Sequence, residues 1–122
     1  MTIRVELVSA ERRVWSGEAS IVLARTTDGD LGVMANHTPT FGVLVNGVVT
    51  IRTVSDGDVK AAVHGGFLSV ADNRVSILAE IAELGTEIDV NRAKEALARA
   101  QREAADDLAE ARAQTRIAAA VN

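Results

Sequence analysis

The chain has 122 residues, of which 48% are hydrophobic and 2% aromatic, and its formal net charge at pH 7 is −4. This length fits one compact domain, alone or with an appendage, and the hydrophobic fraction is too high for a disordered chain. The negative charge and the scarcity of aromatic rings argue against nucleic-acid binding and against direct attraction to an anionic membrane. Because the chain has no cysteine, disulfide scaffolds and thiolate metal sites are excluded.

The N-terminal two thirds of the chain have the pattern of short β-strands. Ile3, Val5 and Leu7 alternate with charged residues, as expected for a half-buried strand. Further β-branched runs follow at roughly 8–12-residue spacing, separated by turns rich in Gly, Asn and Asp. No helical periodicity intervenes, so the pattern predicts a β-sandwich or barrel rather than a doubly wound α/β sheet.

Three glycine-containing segments predict specific turns or contacts. Asn46-Gly47 lies between two apolar runs, which is the strongest hairpin signal in the chain. Residues 55–58 predict a second hairpin turn. Gly65-Gly66 interrupts a strand pattern and predicts either a β-bulge or a close approach of two backbones.

No catalytic or metal-binding motif is present. His37 and His64 lack the spacing of metal ligands, so we interpret His37 as a loop-ordering or contact residue and His64 as a sheet-edge residue. Aspartates are common in turns because their side chains hydrogen-bond to nearby backbone groups, so the carboxylates in the predicted turns do not indicate a catalytic pair. The N-terminus lacks a signal-peptide core, and no apolar run approaches the roughly 20 residues that cross a bilayer, so we expect a cytoplasmic protein.

The character of the chain changes near Asp89. Beyond it the sequence is Ala-rich and charged, with no Gly or Pro, and Asp89 itself is a good helix N-cap residue. We therefore predict two parts, a β domain over 1–87 and a helical arm over 88–122.

Two conformations of the arm are consistent with its sequence. Small residues form one unbroken helical stripe from Ala93 to Ala118, which favours a continuous helix. Asp107 with Glu110 resembles a capping box, which favours a break near 105–106 and a helical hairpin. The stripe consists of Ala93, Leu97, Ala100, Ala104, Leu108, Ala111, Thr115 and Ala118.

Several motifs, in order and spacing, resemble the epsilon subunit of bacterial F-type ATP synthases along nearly the whole chain. They are Trp15-Ser16-Gly17-Glu18-Ala19, Gly29-Asp30-Leu31-Gly32-Val33, Asn36-His37-Thr38-Pro39, Gly47-Val48-Val49-Thr50-Ile51, Gly65-Gly66-Phe67-Leu68-Ser69-Val70, Val75-Ser76-Ile77-Leu78-Ala79 and Ile88-Asp89-Val90-Asn91-Arg92-Ala93. The resemblance implies an α+β fold, with an N-terminal ten-stranded β-sandwich followed by a C-terminal two-helix α-hairpin.

The resemblance also implies a role in a larger complex. It implies a non-catalytic rotor subunit that binds the gamma subunit and the c-ring, and that reaches the membrane only through the complex, at its cytoplasmic face. The helical arm would restrain ATP hydrolysis by extending along gamma towards the alpha/beta subunits. The implied partner contacts are Asp30, Leu31, His37 and Thr38. The arm residues that are candidates for pairing with acidic surfaces of the partner subunits are Arg99, Arg102, Arg112 and Arg116.

No cofactor is required by this resemblance, but some members of the family bind ATP at the junction between the two parts. The matching residues here are Glu83, Ile88, Asp89, Arg92 and Ala93. The alternative for Asp89 and Arg92 is a helix cap and a surface charge. Two other classes of protein stay open. A cupin-type enzyme is disfavoured by the missing His-x-His motif, and a free-standing ATP sensor would lack the gamma partner.

Overall fold

A computed structural model describes residues 1–55, 57–103 and 107–120. Within these residues, seven β-strands precede two helices, and a single 3₁₀ turn, Gly85–Glu87, joins the two parts. The strands are β1 (Ile3–Ser9), β2 (Arg13–Thr26), β3 (Gly29–Val33), β4 (Thr40–Leu44), β5 (Gly47–Thr53), β6 (Asp58–Ala71) and β7 (Arg74–Leu84). The helices are α1 (Val90–Glu103) and α2 (Asp107–Ala120). The predicted boundary between 87 and 88 falls between the 3₁₀ turn and α1.

The strands close into a sandwich around one apolar core. β1 pairs antiparallel with β2 and parallel with β7, and β6 pairs antiparallel with β7 and with β5, which in turn pairs with β2. The fully buried core side chains are aliphatic, as the scarcity of aromatic residues requires. The largest are Ile3, Leu7, Ile51, Leu68 and Ile77. The predicted β-sandwich with two C-terminal helices is confirmed.

The sandwich has seven strands rather than ten because three long strands run without a break. Each of them counts as one strand, although it pairs with different partners along its length. β6 pairs with β5 along its first half and with β4 along its second half. β2 pairs first with β1 and then with β3 and β5, across an irregularity between Ala19 and Ile21. β7 follows β6 over nearly its whole length and also pairs with β1.

The hairpin predicted at Asn46-Gly47 is wrong. Over the described residues 40–53, β4 pairs with β6 and β2, and β5 pairs with β2 and β6, so the turn joins two strands that do not pair with each other. The local turn signal was correct, but burial in the sandwich selected other partners for both strands. The second predicted hairpin is confirmed by the antiparallel register of β5 with β6, from Gly47↔Val63 to Arg52↔Asp58; Asp56 in that turn lies outside the described residues.

The Gly65-Gly66 pair marks a close approach of two backbones rather than a bulge. The register of β6 with β7 runs without a shift from His64↔Ile81 to Gly66↔Ala79. Both glycines have positive φ, +79° at Gly65 and +124° at Gly66. A Cβ at Gly66 would lie 2.1 Å from the carbonyl oxygen of Leu78. Only glycine fits this backbone contact.

The arm is a helical hairpin in this structure. α2 packs on β5, β6 and β7, and α1 packs on α2. The Asp107 side chain of the predicted capping box lies outside the described residues, whereas Glu110 accepts hydrogen bonds from Gln101 and Gln114, each at 3.4 Å. The contact with Gln101 ties the two helices together near their connection.

The predicted stripe does not continue as the buried face of α2. Ala93 and Ala100 of α1 are buried as expected. On α2, however, Ala113 and Ala119 are buried, while Ala118 is exposed. The break between the helices resets the helical phase, so a pattern that assumed one continuous helix selected the wrong face. Ala104 of the stripe lies outside the described residues, as does the Leu108 side chain.

Candidate functional site

The junction between the sandwich and the arm is organised by two carboxylates. Asp89 Oδ1 accepts a hydrogen bond from the Arg92 backbone N–H at 3.0 Å, which confirms Asp89 as the N-cap of α1. Glu87 Oε1 accepts from Arg12 Nη2 at 2.7 Å and from the Leu84 N–H at 3.2 Å. The hydrogen bond from Arg12 holds the pKa of Glu87 below its usual value. These contacts fix the position where the arm leaves the sandwich.

A cavity of about 530 Å³ opens beside this junction. Its lining combines residues from β7, the 3₁₀ turn and both helices. They are Ile81, Glu83, Glu87, Ile88, Asp89, Arg92, Ala96, Arg99 and Arg116. The structure therefore brings together four of the five predicted nucleotide-site residues, and adds Arg99 and Arg116 to them. The fifth, Ala93, is buried in the helical arm.

The charges around this cavity are only partly neutralised within the chain. Arg116 Nε donates to Glu83 Oε1 at 2.6 Å, and the carboxylates of Glu87 and Asp89 are engaged in the contacts above. Within the described residues, Arg92 and Arg99 form no ion pair. Two guanidinium groups at the rim of a cavity of this size can bind an anionic ligand, because each carries a planar set of donors suited to phosphate or carboxylate oxygens.

His64 was predicted at a sheet edge, and this prediction is wrong. It lies in the middle of β6, paired with Ile81 of β7, and its side chain is 2% exposed. Its Nδ1 lies 3.3 Å from Asn46 Oδ1, and its Nε2 lies 3.6 Å from Glu83 Oε1. A single-strand pattern could not show this burial, because helix α2 covers the residue from a distant part of the chain.

The pKa of His64 is lowered from its ordinary value. Burial is the largest cause, because it penalises the charged imidazolium. The positive charges of Arg116 and Arg112 act in the same direction, while Glu83 opposes them. Glu83 does not raise the pKa of His64 enough to offset these causes, because its carboxylate already pairs closely with Arg116. Arg112 Nε and His64 Nε2 are both buried without a hydrogen-bond partner among the described residues.

The four predicted partner-contact residues lie along β3 and the turn that follows it. Asp30 is in strand β3 rather than in a loop, and its exposed carboxylate accepts from Arg25 Nε at 3.1 Å. Leu31 packs partly against the core. His37 Nδ1 donates to the carbonyl of Thr38 at 2.7 Å, so the histidine orders its own turn while Thr38 remains exposed. Asp30 and His37 are thus separated by most of β3.

An exposed apolar strip on the sandwich was not recognised from the sequence. It consists of Phe41, Val43, Phe67 and Leu78, which lie on neighbouring strands β4, β6 and β7 in the registers Val43↔Phe67 and Phe67↔Leu78. Phe41 and Phe67 stack with ring centroids 5.4 Å apart, although they are 68% and 48% exposed. The available signal was that β4 has large apolar residues on both faces. A contiguous exposed apolar patch is typical of interaction surfaces.

The fold is therefore a β-sandwich followed by a docked helical hairpin. Residues 2–85 match the family model described as the ATP synthase, Delta/Epsilon chain, beta-sandwich domain. The chain belongs to this family, and the resemblance inferred from its motifs is confirmed.

Curated relatives and solved structures agree with this assignment. The chain is 58% identical over 118 residues to the ATP synthase epsilon chain of Streptomyces coelicolor, covering 97% of this chain and 94% of that protein. It is 61% identical to the epsilon chain of Streptomyces avermitilis, covering 96% and 94%.

Two solved structures share the fold at low sequence identity. The first is a chain of the Euglena gracilis mitochondrial ATP synthase, in a structure of its OSCP, F1 and c-ring. It matches with a TM-score of 0.75 at 22% identity, covering 95% of this chain and 75% of that chain. The second is a chain from the central stalk and c-ring of the Tetrahymena thermophila mitochondrial ATP synthase. It matches with a TM-score of 0.61 at 18% identity, covering 99% and 98%.

Proposed function

We propose that this chain acts as a rotor subunit in the central stalk of an F-type proton-translocating ATP synthase. There it would help to couple proton flow through the c-ring to ATP synthesis and would carry no catalytic residue of its own. The observation that carries the proposal is the exposed apolar strip on a chain of the epsilon family. A rigid sandwich that leaves two stacked phenylalanines in solvent is suited to permanent docking on another subunit.

The proposed partner at the strip is the gamma subunit. Aromatic and large aliphatic side chains at the centre of an interface contribute most of its binding energy once water is excluded from them. The strip occupies three adjacent strands of a sheet, so the partner would meet a surface already ordered in the free protein.

We expect Phe67→Ser to weaken binding to gamma by roughly tenfold or more, because Phe67 stacks on Phe41 and is the cross-strand neighbour of both Val43 and Leu78. The measurement is the dissociation constant of the purified pair. Val54→Ser is the matched control, because Val54 is an exposed apolar residue of the β5–β6 turn, away from the strip. Equal affinities for Phe67→Ser and Val54→Ser would remove the strip from the gamma interface.

The proposed contact with the c-ring is the segment containing Asp30, Leu31, His37 and Thr38. This segment has polar groups in fixed positions, because it carries an exposed carboxylate at the start of β3 and an ordered turn at the end of that strand. In the described residues, no helix is both long and apolar enough to span a bilayer. As a subunit of the proposed complex, the chain would associate with the membrane only through its partners, at the cytoplasmic face of the cell membrane.

The proposed role of the arm is to restrain ATP hydrolysis. Its arginines are partly engaged when the hairpin is docked, as the ion pair of Arg116 with Glu83 shows. In an extended arm, Arg99, Arg112 and Arg116 would be free to pair with acidic surfaces of the alpha/beta subunits. Arg102 belongs to the same proposal, although its side chain lies outside the described residues.

ATP is proposed as a regulatory ligand of the junction cavity. Arg92 and Arg99 would hold phosphate oxygens, and Ile88 would supply apolar contact. Asp89 and Glu83 would accept from the base or ribose, although Asp89 already uses one oxygen to cap α1. A nucleotide in this cavity would touch both helices and the sandwich, so it would favour the docked hairpin by mass action.

We expect Arg92→Ala to weaken ATP binding by about 10- to 100-fold, the range expected when one charge-assisted contact to phosphate is lost. Isothermal titration of the full chain measures the change. Lys94→Ala is the control, because it removes an exposed cation from the same helix without altering the cavity lining. If the unaltered chain produces no heat at millimolar ATP, Asp89 and Arg92 act only as a cap and a surface charge.

A further inference from the structure

The surface of the sandwich beneath α2 contains a buried ionisable group that the proposed function does not use. His64 lies on β6, where α2 packs, and its imidazole is shielded from water by the helix. A histidine at such a position is unusual, because an imidazole ring there must remain neutral or find a partner for its charge.

Three segments around His64 contribute polar or charged groups. β7 contributes Glu83, α2 contributes Arg112 and Arg116, and the turn between β4 and β5 contributes the Asn46 amide. The two guanidinium groups come from the helix that would leave on release of the arm. The single carboxylate is already bound to one of them at 2.6 Å. A proton added to His64 in the docked state would therefore meet two positive charges and, among the described residues, one carboxylate that already pairs with Arg116.

We propose that His64 makes docking of α2 on the sandwich sensitive to pH, so that acidification below about pH 6.5 favours release of the arm. When α2 leaves, it carries Arg112 and Arg116 away and exposes His64 to water. The imidazole then returns towards its ordinary pKa of about 6.5. The released state thus binds a proton more readily than the docked state.

The direction of the pH effect on docking of α2 follows from this difference in proton binding between the two states. Above about pH 6.5 His64 is neutral in both states, and docking does not depend on its titration. As the pH falls below that value, the released state takes up a proton first, so docking weakens. It stops weakening once the pH falls below the lowered pKa of the docked state. The inference rests on the proposed mobility of the arm but not on its inhibition of hydrolysis.

The test is amide hydrogen exchange of α2 in the full chain between pH 5 and pH 8, corrected for the intrinsic exchange rate and compared with the core strands. We expect the protection of α2 to fall severalfold below pH 6.5 in the unaltered chain and to be independent of pH in His64→Gln. His37→Gln is the matched control, because it removes the other histidine of the chain, in the β3–β4 turn, and should keep the pH response.

A second measurement covers the case in which His64→Gln fails to fold. An NMR titration of the two imidazoles in the unaltered chain should show a lower pKa for His64 than for an exposed histidine. A raised pKa would mean that Glu83 dominates, and acid would then strengthen docking. That result, or protection of α2 that does not change with pH, would overturn the proposal while leaving the effect of the arm on hydrolysis to be measured separately.

Discussion

Cross-linking the two helices of the arm should abolish its restraint on ATP hydrolysis. Gln101 and Glu110 lie on different helices and their side chains meet at 3.4 Å, so cysteines at both positions can be joined by a short, reducible cross-linker. In one continuous helix these positions would be about 13 Å apart along the axis, and the whole arm would reach roughly 45 Å. The cross-link therefore excludes the extended arm.

The measurement is the hydrolysis rate of a reconstituted ATPase core. We expect the cross-linked chain to give the rate of a core with residues 1–87 alone, several times that of the core with the unlocked chain, and reduction should restore inhibition. Because the chain has no cysteine of its own, cross-linking it before reconstitution joins only the introduced thiols.

The chain offers a matched control for this experiment. Glu110 also accepts a hydrogen bond at 3.4 Å from Gln114, one turn along α2. The same cross-linker between positions 110 and 114 staples α2 without joining it to α1, so inhibition should persist. If the 101–110 cross-link inhibits as strongly as this control, the hairpin is structural and the arm is not the switch.

Gly66→Ala should be among the most destabilising substitutions in the chain. The added Cβ would meet the Leu78 carbonyl oxygen at 2.1 Å and the Ala79 Cα at 2.8 Å. Both are backbone atoms of β7, so no rotamer change relieves the clash, and β6 must separate from β7. The φ of +124° adds strain for any residue with a side chain. We expect a loss of roughly 4 kcal/mol or more of unfolding free energy, a large part of the stability of a small domain.

Urea denaturation measures this loss, and Gly57→Ala separates its two causes. Gly57 also has positive φ, +73°, but among the described residues, its chain neighbours aside, a Cβ there would meet no atom within 4 Å. Its substitution should cost only the backbone strain, about 1 kcal/mol. Similar losses for the two variants would mean that the spacing of β6 and β7 adapts to the methyl group, contrary to this expectation.

Local patterns in the sequence were sufficient to predict individual strands and the start of α1. The alternation of Ile3, Val5 and Leu7 predicted a strand that the structure confirms, and Asp89 caps α1 as its residue type predicted. These features depend on backbone geometry and on neighbours within a few residues. The junction motif likewise predicted residues that line one cavity, because most of that motif is contiguous in the chain.

The pairing and burial of these elements depended on contacts between distant residues. Asn46-Gly47 predicted its turn but not the partners of β4 and β5, because those were selected by burial across the sandwich. The apolar residues of β4 were a signal for the strip, but they did not decide the exposure of Phe41 and Phe67, since an apolar residue on a strand has the same pattern whether its face is covered or not.

The position of α2 was decided only in three dimensions. Its buried face, with Ala113 and Ala119, follows from the break between the helices and from the surface of β6 that it covers. The same packing buries His64 beside Arg112 and Arg116, which are far from it in sequence. Hydrophobic periodicity reports the faces of one element, whereas desolvation and charge at a residue depend on whichever element packs against it.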